Sequence, residues 1–145
     1  MEVYFETDFI TIGYNEEHNA ILQRWLIPPL STEFREGLNA VIRAMEHFKT
    51  GKWVSDTCEL GTVAVEDQEW IITDWLPRAL EAGYSQIALI MPSEISLDAE
   101  LSQFSVEEVV EAAGDPVPTA YFHNLEAALT WISGEHTSSL NTQQQ

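Results

Sequence analysis

The sequence predicts an α/β domain: a mixed sheet of four to six strands with an antiparallel N-terminal edge, flanked by helices. Three observations predict it. Short stretches with strand-like alternation open the chain, amphipathic helical stretches then alternate with further apolar strands, and Gly or Pro marks most of the junctions. Strand–helix–strand units require parallel pairing through right-handed crossovers, whereas strands separated by a short turn pair antiparallel. At 145 residues, with 45% hydrophobic residues and five Trp, the chain has enough apolar material for one core. One domain is therefore expected over residues 1–134, followed by a disordered polar tail over 135–145 that ends in three glutamines.

The elements follow in order. Glu2 to Glu6 and Asp8 to Tyr14 read as strands, with Phe5, Phe9, Ile10 and Ile12 set among polar residues. The polar stretch from Tyr14 to Asn19 turns the chain into a third strand, Ala20 to Ile27, which Pro28-Pro29 ends because proline donates no ladder hydrogen bond. Ser31 or Thr32 is positioned to cap a helix reaching about Lys49. Phe34, Leu38, Val41, Ile42, Met45 and Phe48 form its apolar stripe and Gly51 stands as its stop. Lys52 to Thr57 reads as a short buried strand. A helix from about Glu66 to Ala82 follows, with Trp70, Ile71, Trp75 and Leu80 inward and a kink or break expected at Pro77. Ser85 to Met91, apolar nearly throughout, is a buried strand. Leu97 to Gly114 is helical, and the capping-box pattern of Ser105 to Glu108 predicts a fresh helix start there. Thr119 to Phe122 forms the last strand, and Asn124 caps a final helix carrying Leu125, Ala128, Leu129 and Ile132 inward.

Charge excludes some functions. Twenty-four acids against six bases give a net charge of −18, and no Lys or Arg follows Arg78 while ten acids do. Such a field repels phosphate backbones and anionic lipid surfaces, so no nucleic-acid partner is expected; it suits a solvated, self-repelling surface or the steering of a basic partner or cation. The longest apolar run, Ile87 to Met91, is too short for a membrane span. The acidic N-terminus lacks the features of a signal peptide and the single cysteine, Cys58, forms no internal disulfide, which together point to a cytoplasmic protein.

Catalysis requires a nucleophile or base positioned by a second group, or ligands spaced for a metal. Cys58 ends a strand, where α/β domains often place functional groups, but Asp56 and Glu59 beside it disfavour the thiolate. His18, His47, His123 and His136 share no metal-ligand spacing, and only His123, at the end of the last strand, is placed for a pocket mouth. Glu66, Asp67 and Glu69 sit where negative charge favours a helix start. Neither glycine-rich phosphate loop pattern occurs. No cofactor, metal or catalytic set is thus expected. The tryptophans read first as core, with Trp25 or Trp70 alternatively lining a groove.

Three stretches carry a resemblance: Trp53-Val54-Ser55-Asp56; Val65 to Ile71, which opens the helix reaching Leu76-Pro77 and Gly83; and Phe122-His123-Asn124 followed by Leu125 to Ile132 with its alanines and Trp131. Together they resemble the SpoIIAA-like proteins, a STAS-related and CRAL-TRIO-like superfamily of small bacterial α/β domains, over roughly residues 3 to 134. The resemblance implies regulatory or ligand-binding roles more than enzymatic ones. Antagonists of the STAS group switch by phosphorylation of a serine just after an aspartate. Asp67 matches that aspartate, but Gln68 and Glu69 stand where the serine belongs, and glutamine accepts no phosphate, so the switch is not carried over.

The expected function is accordingly a non-catalytic regulatory or protein-interaction module, with Asp56, Thr57, Asp67, Trp70 and His123 as the candidate partner or ligand surface. A protein partner, a second copy in a homodimer, or a small apolar, lipid-like ligand are the occupants considered. The last would need a cavity between the Trp70 helix and the helical stretch from Leu97 to Ala113.

Overall fold

The structure, a computed structural model, describes residues 2–94, 96–114 and 116–134. The tail expected at 135–145 lies outside the described residues. Six strands form one sheet in the order of the sequence: β1 (Glu2–Glu6), β2 (Ile10–Asn15), β3 (Ala20–Trp25), β4 (Lys52–Asp56), β5 (Gln86–Ile90) and β6 (Thr119–Phe122). The first three pair antiparallel and the last four parallel, β3 joining the two halves. This is the mixed α/β architecture the sequence predicts.

A sequential strand order has a consequence for the helices. Right-handed crossovers that always step in the same direction place their helices on one face. The three crossovers are α1 (Ser31–Phe48), the paired short helices α2 (Val65–Trp70) and α3 (Leu76–Glu81), and α4 (Leu97–Ala113). Phe34, Leu38, Val41 and Met45 of α1, Trp75 and Ala79 of the second crossover and Val106 of α4 share one core with Ile10, Trp25, Trp53 and Leu89 of the sheet. The opposite face is left to α5 (Leu125–Ile132), whose Ala128 and Ile132 pack with Ala20, Val54, Ala88 and Ile90 in a second, smaller core. Because the order never reverses, the sheet lacks the topological switch point at which open α/β sheets bind nucleotides.

Three local expectations are corrected. The N-cap of α1 is Leu30, whose backbone N–H donates to the Glu33 carboxylate (2.9 Å); Ser31 is already inside the helix and its hydroxyl is used elsewhere. The helix ends at Lys49 in the left-handed region (φ 57), and Gly51 serves a different purpose. A Cβ there would lie 1.7 Å from the Gly83 carbonyl oxygen, so only glycine admits the close approach of these two loops. Finally, α4 runs unbroken through Ser105, because that side chain is turned to the neighbouring loop instead of capping a new helix.

Near Pro77 the helix neither breaks nor continues as an ordinary α-helix. Residues Ile71–Trp75 form a π-helical stretch joining α2 to α3. Proline supplies no N–H and its ring clashes with the carbonyl four residues back, here that of Thr73. Widening the preceding turn to i→i−5 bonding, as in Leu76 N–H to Ile71 O, skips a bond just where one would be lost.

Candidate functional site

The exit of β4 carries the first candidates. Thr57 is buried and its hydroxyl donates to the Ile90 carbonyl (2.8 Å), tying β4 to β5. The Asp56 carboxylate accepts from the Cys58 backbone N–H (3.1 Å) and lies 3.8 Å from an exposed Arg24 guanidinium, a pairing that solvent leaves weak. Burial first, and then the Asp56 charge and hydrogen bond, push the Cys58 thiol up to about 12. At neutral pH it is a thiol, and thiols are poor nucleophiles.

Asp67 and Trp70 occupy α2 and meet α1. The Asp67 carboxylate is buried and accepts from the Ser31 hydroxyl (2.8 Å) and from Arg35 Nε (2.7 Å). Arg35 in turn lies over the Trp70 ring, 5.1 Å from its centroid, with Arg78 at 6.0 Å. Cation–π contacts of this kind contribute about 0.5–1 kcal/mol each at partly exposed sites. This cluster locks two helices together, and it uses the carboxylate that the sequence matched to a signalling aspartate. His123 is exposed and its Nδ1 lies 3.1 Å from the Met91 carbonyl, at the ends of β5 and β6.

The five candidates therefore belong to three places, and no hydrogen bond or ion pair among the described residues joins them into one site. Of the five, only Thr57 lines the apolar cavity that lies on the helix-rich face of the sheet. That cavity, about 110 Å³, sits between α4, the π-helical stretch and β4 to β6. Trp25, Trp53, Trp75, Phe34 and Tyr84 form much of its wall, and Val106, Val109, Val110 and Ala113 supply the α4 side. Its solvent-touching residues, among them Val109, Val110, Ala113, Pro116 and Thr119, place the mouth at the C-terminal end of α4. The ligand reading of the sequence needs a cavity between the Trp70 helix and the Leu97–Ala113 stretch; here Ile71, Trp75 and Leu76 supply the wall opposite α4, and Trp70 itself is not part of it.

The cavity has a structural cause. The backbone of α4 approaches the π-helical stretch more than any one strand. Its buried inward residues are small or hydroxylic (Ala99, Ser102 and Ser105, with Val106 the exception). The two serines are spent on the loop after β4: Ser102 Oγ accepts from Gly61 N–H (2.8 Å) and Ser105 Oγ from Val63 N–H (3.1 Å). Serines three apart lie on one helix face, so their spacing in the sequence was the available signal for this seam, although it does not say what they bind. The sequence places Trp53 on a strand, as core. Its ring packs on Trp75 (centroids 5.5 Å) and Tyr84 (5.7 Å), but its indole N–H is buried without a partner among the described residues. The Trp75 indole, by contrast, donates to the Leu38 carbonyl (2.7 Å). A buried donor left unsatisfied costs about 1–3 kcal/mol.

No group of three or more His, Cys, Asp or Glu among the described residues is arranged to hold a metal ion, and no described helix is long and apolar enough to cross a membrane. No protein-family model, curated protein or solved structure matches the chain at significance. The SpoIIAA-like resemblance stands on the sequence motifs alone.

Proposed function

We propose that the domain is a non-catalytic binding module, within the regulatory or ligand-binding class that the SpoIIAA-like resemblance implies, and that it takes a small apolar molecule between α4 and the sheet. One observation carries this reading: an aromatic-lined cavity beneath a helix whose inward serines are bonded to the loop after β4. Apolar surface removed from water on both ligand and wall supplies the affinity. Size narrows the class. An engineered apolar cavity of about 150 Å³ admits benzene, so one of about 110 Å³ suits a single small ring, and a long acyl chain would require α4 to swing outward.

Protein docking through the Asp56–Trp70 region has less support from the geometry. Asp67 and Thr57 are buried, and Asp67 Oδ1 and the Thr57 hydroxyl are bonded within the fold, leaving little for a partner to meet. The same economy speaks against enzymatic use of these residues.

Benzene is the direct probe. At saturating benzene the melting temperature of the wild-type domain should rise, since a ligand that binds only the folded state stabilises it by mass action. Val110→Phe, which puts a ring into the cavity, should abolish the rise and itself add about 0.5–2 kcal/mol of stability. A wild-type melting curve indifferent to benzene would remove the proposal.

A further inference from the structure

We infer that the molecule taken into this cavity carries a hydrogen-bond acceptor, a neutral ketone, aldehyde or ether oxygen on a small ring, and that the Trp53 indole N–H donates to it. The inference rests on the cavity reading above and gives it chemical specificity. Three buried side-chain nitrogens among the described residues have no partner: Trp53 Nε1, Gln23 Nε2 and Gln86 Nε2. Gln86 alternates along β5 with Ile87, which lines the cavity, and so faces the other side of the sheet. The other two belong to the cavity side. Trp53 is itself part of the wall and only 6% exposed. Gln23, 2% exposed, is bonded through its Oε1 to the hydroxyl of Ser55, another wall residue two positions beyond Trp53 on the same face of β4 (2.6 Å).

The two orphans differ in what they specify. The ends of the Gln23 amide exchange on a flip, which would turn its unpaired atom into an acceptor. The indole N–H can only donate. An occupant that satisfies it must therefore accept, and one that only donates or is pure hydrocarbon leaves it orphaned. Charge is excluded on separate grounds. Among the described residues the wall contains no Lys or Arg to meet an anion and no Asp or Glu to meet a cation, and burying an unpaired charge is far costlier than burying a carbonyl. A neutral acceptor on a compact ring is the class that satisfies volume, aromatic wall and donor together.

Cyclopentanone and methylenecyclopentane test this, because they share a shape and differ in an oxygen against a CH₂ group. Their absolute affinities are not comparable, since the ketone loses more solvation on burial, but the effect of Trp53→Phe on each is. The substitution removes the N–H and keeps an aromatic ring. Cyclopentanone should bind the Trp53→Phe domain roughly 3- to 10-fold more weakly than wild type, the worth of one hydrogen bond, while methylenecyclopentane changes less than about twofold. A second readout needs no variant to fold: in ¹⁵N-labelled wild-type protein the Trp53 indole cross-peak should move downfield with cyclopentanone and not with methylenecyclopentane. Equal weakening of both probes by Trp53→Phe, or an indole peak that responds alike to both, as it would if a lone water held the N–H, overturns the inference and leaves the cavity reading standing. Failure of both probes to bind wild-type protein overturns both.

Discussion

Cys58 shows how far the neighbours of a residue decide its chemistry. Partial burial, the Asp56 carboxylate and the charge of Glu59 all raise the thiol pKa, to about 12, and only Arg24 opposes them. Raising the pKa of an acid keeps it protonated, so at pH 8 the thiolate fraction is roughly a thousandth of that of a free cysteine. Alkylation by iodoacetamide at pH 8 should be slower than for glutathione by about two orders of magnitude or more. Asp56→Asn removes the charge of that neighbour but keeps an acceptor oxygen and leaves desolvation, the largest cause, so it should recover only part of the rate; a rate equal to that of glutathione in the wild type would contradict this account. The sequence made the acidic surroundings of Cys58 legible because they are adjacent in the chain. It did not reveal the fate of Asp67, whose partners Ser31 and Arg35 lie on another helix and are brought to it only by the fold.

At the scale of elements, α4 is where local pattern and tertiary demand part. Ser105 with Glu108 has the local signature of a helix start, yet the loop of residues 58–63 has a half-buried N–H at Gly61 and a buried one at Val63 that need acceptors, and Ser102 and Ser105 provide them. A one-dimensional reading cannot see that demand, since the loop and the serines are some forty residues apart. The π-helical stretch before Pro77 is similar: the proline announced a disturbance, while the packing of Ile71 and Trp75 into the core decided that a widened turn, and not a break, absorbs it. Ser105→Ala should leave the Val63 N–H buried and unpaired and destabilise the domain by about 1–3 kcal/mol. Urea denaturation measures this directly. Because the bond also pins α4 over the cavity, hydrogen exchange in α4 should quicken more than in β4 or β5, whose ladders it does not touch. Uniform exchange across these elements would mean that α4 is held by something other than its serines.

At the scale of the molecule, charge and fold are separable. The order of strands and helices follows from hydrophobic periodicity, which the acids on the surface do not disturb, and that is why the sheet was readable when the cavity was not: volume beneath a helix depends on how closely it settles, which no periodicity encodes. Net charge nevertheless bears on stability. Of the described ion pairs, only Arg35–Asp67 has a buried partner, while Arg24–Asp56 and Arg78–Asp74 are solvent-screened. With a net charge of −18, most carboxylates repel one another across the surface of the compact state more than in the expanded chain. Salt shortens the reach of that repulsion, from a Debye length of about 30 Å at 0.01 M to about 10 Å at 0.1 M. The melting temperature at pH 7 should therefore climb by several degrees from 10 to 300 mM NaCl, since about 1 kcal/mol shifts a domain of this size by roughly 2–8 °C. A melting temperature that falls with salt would mean that attractive pairs, Arg35–Asp67 foremost, outweigh the surplus of acids.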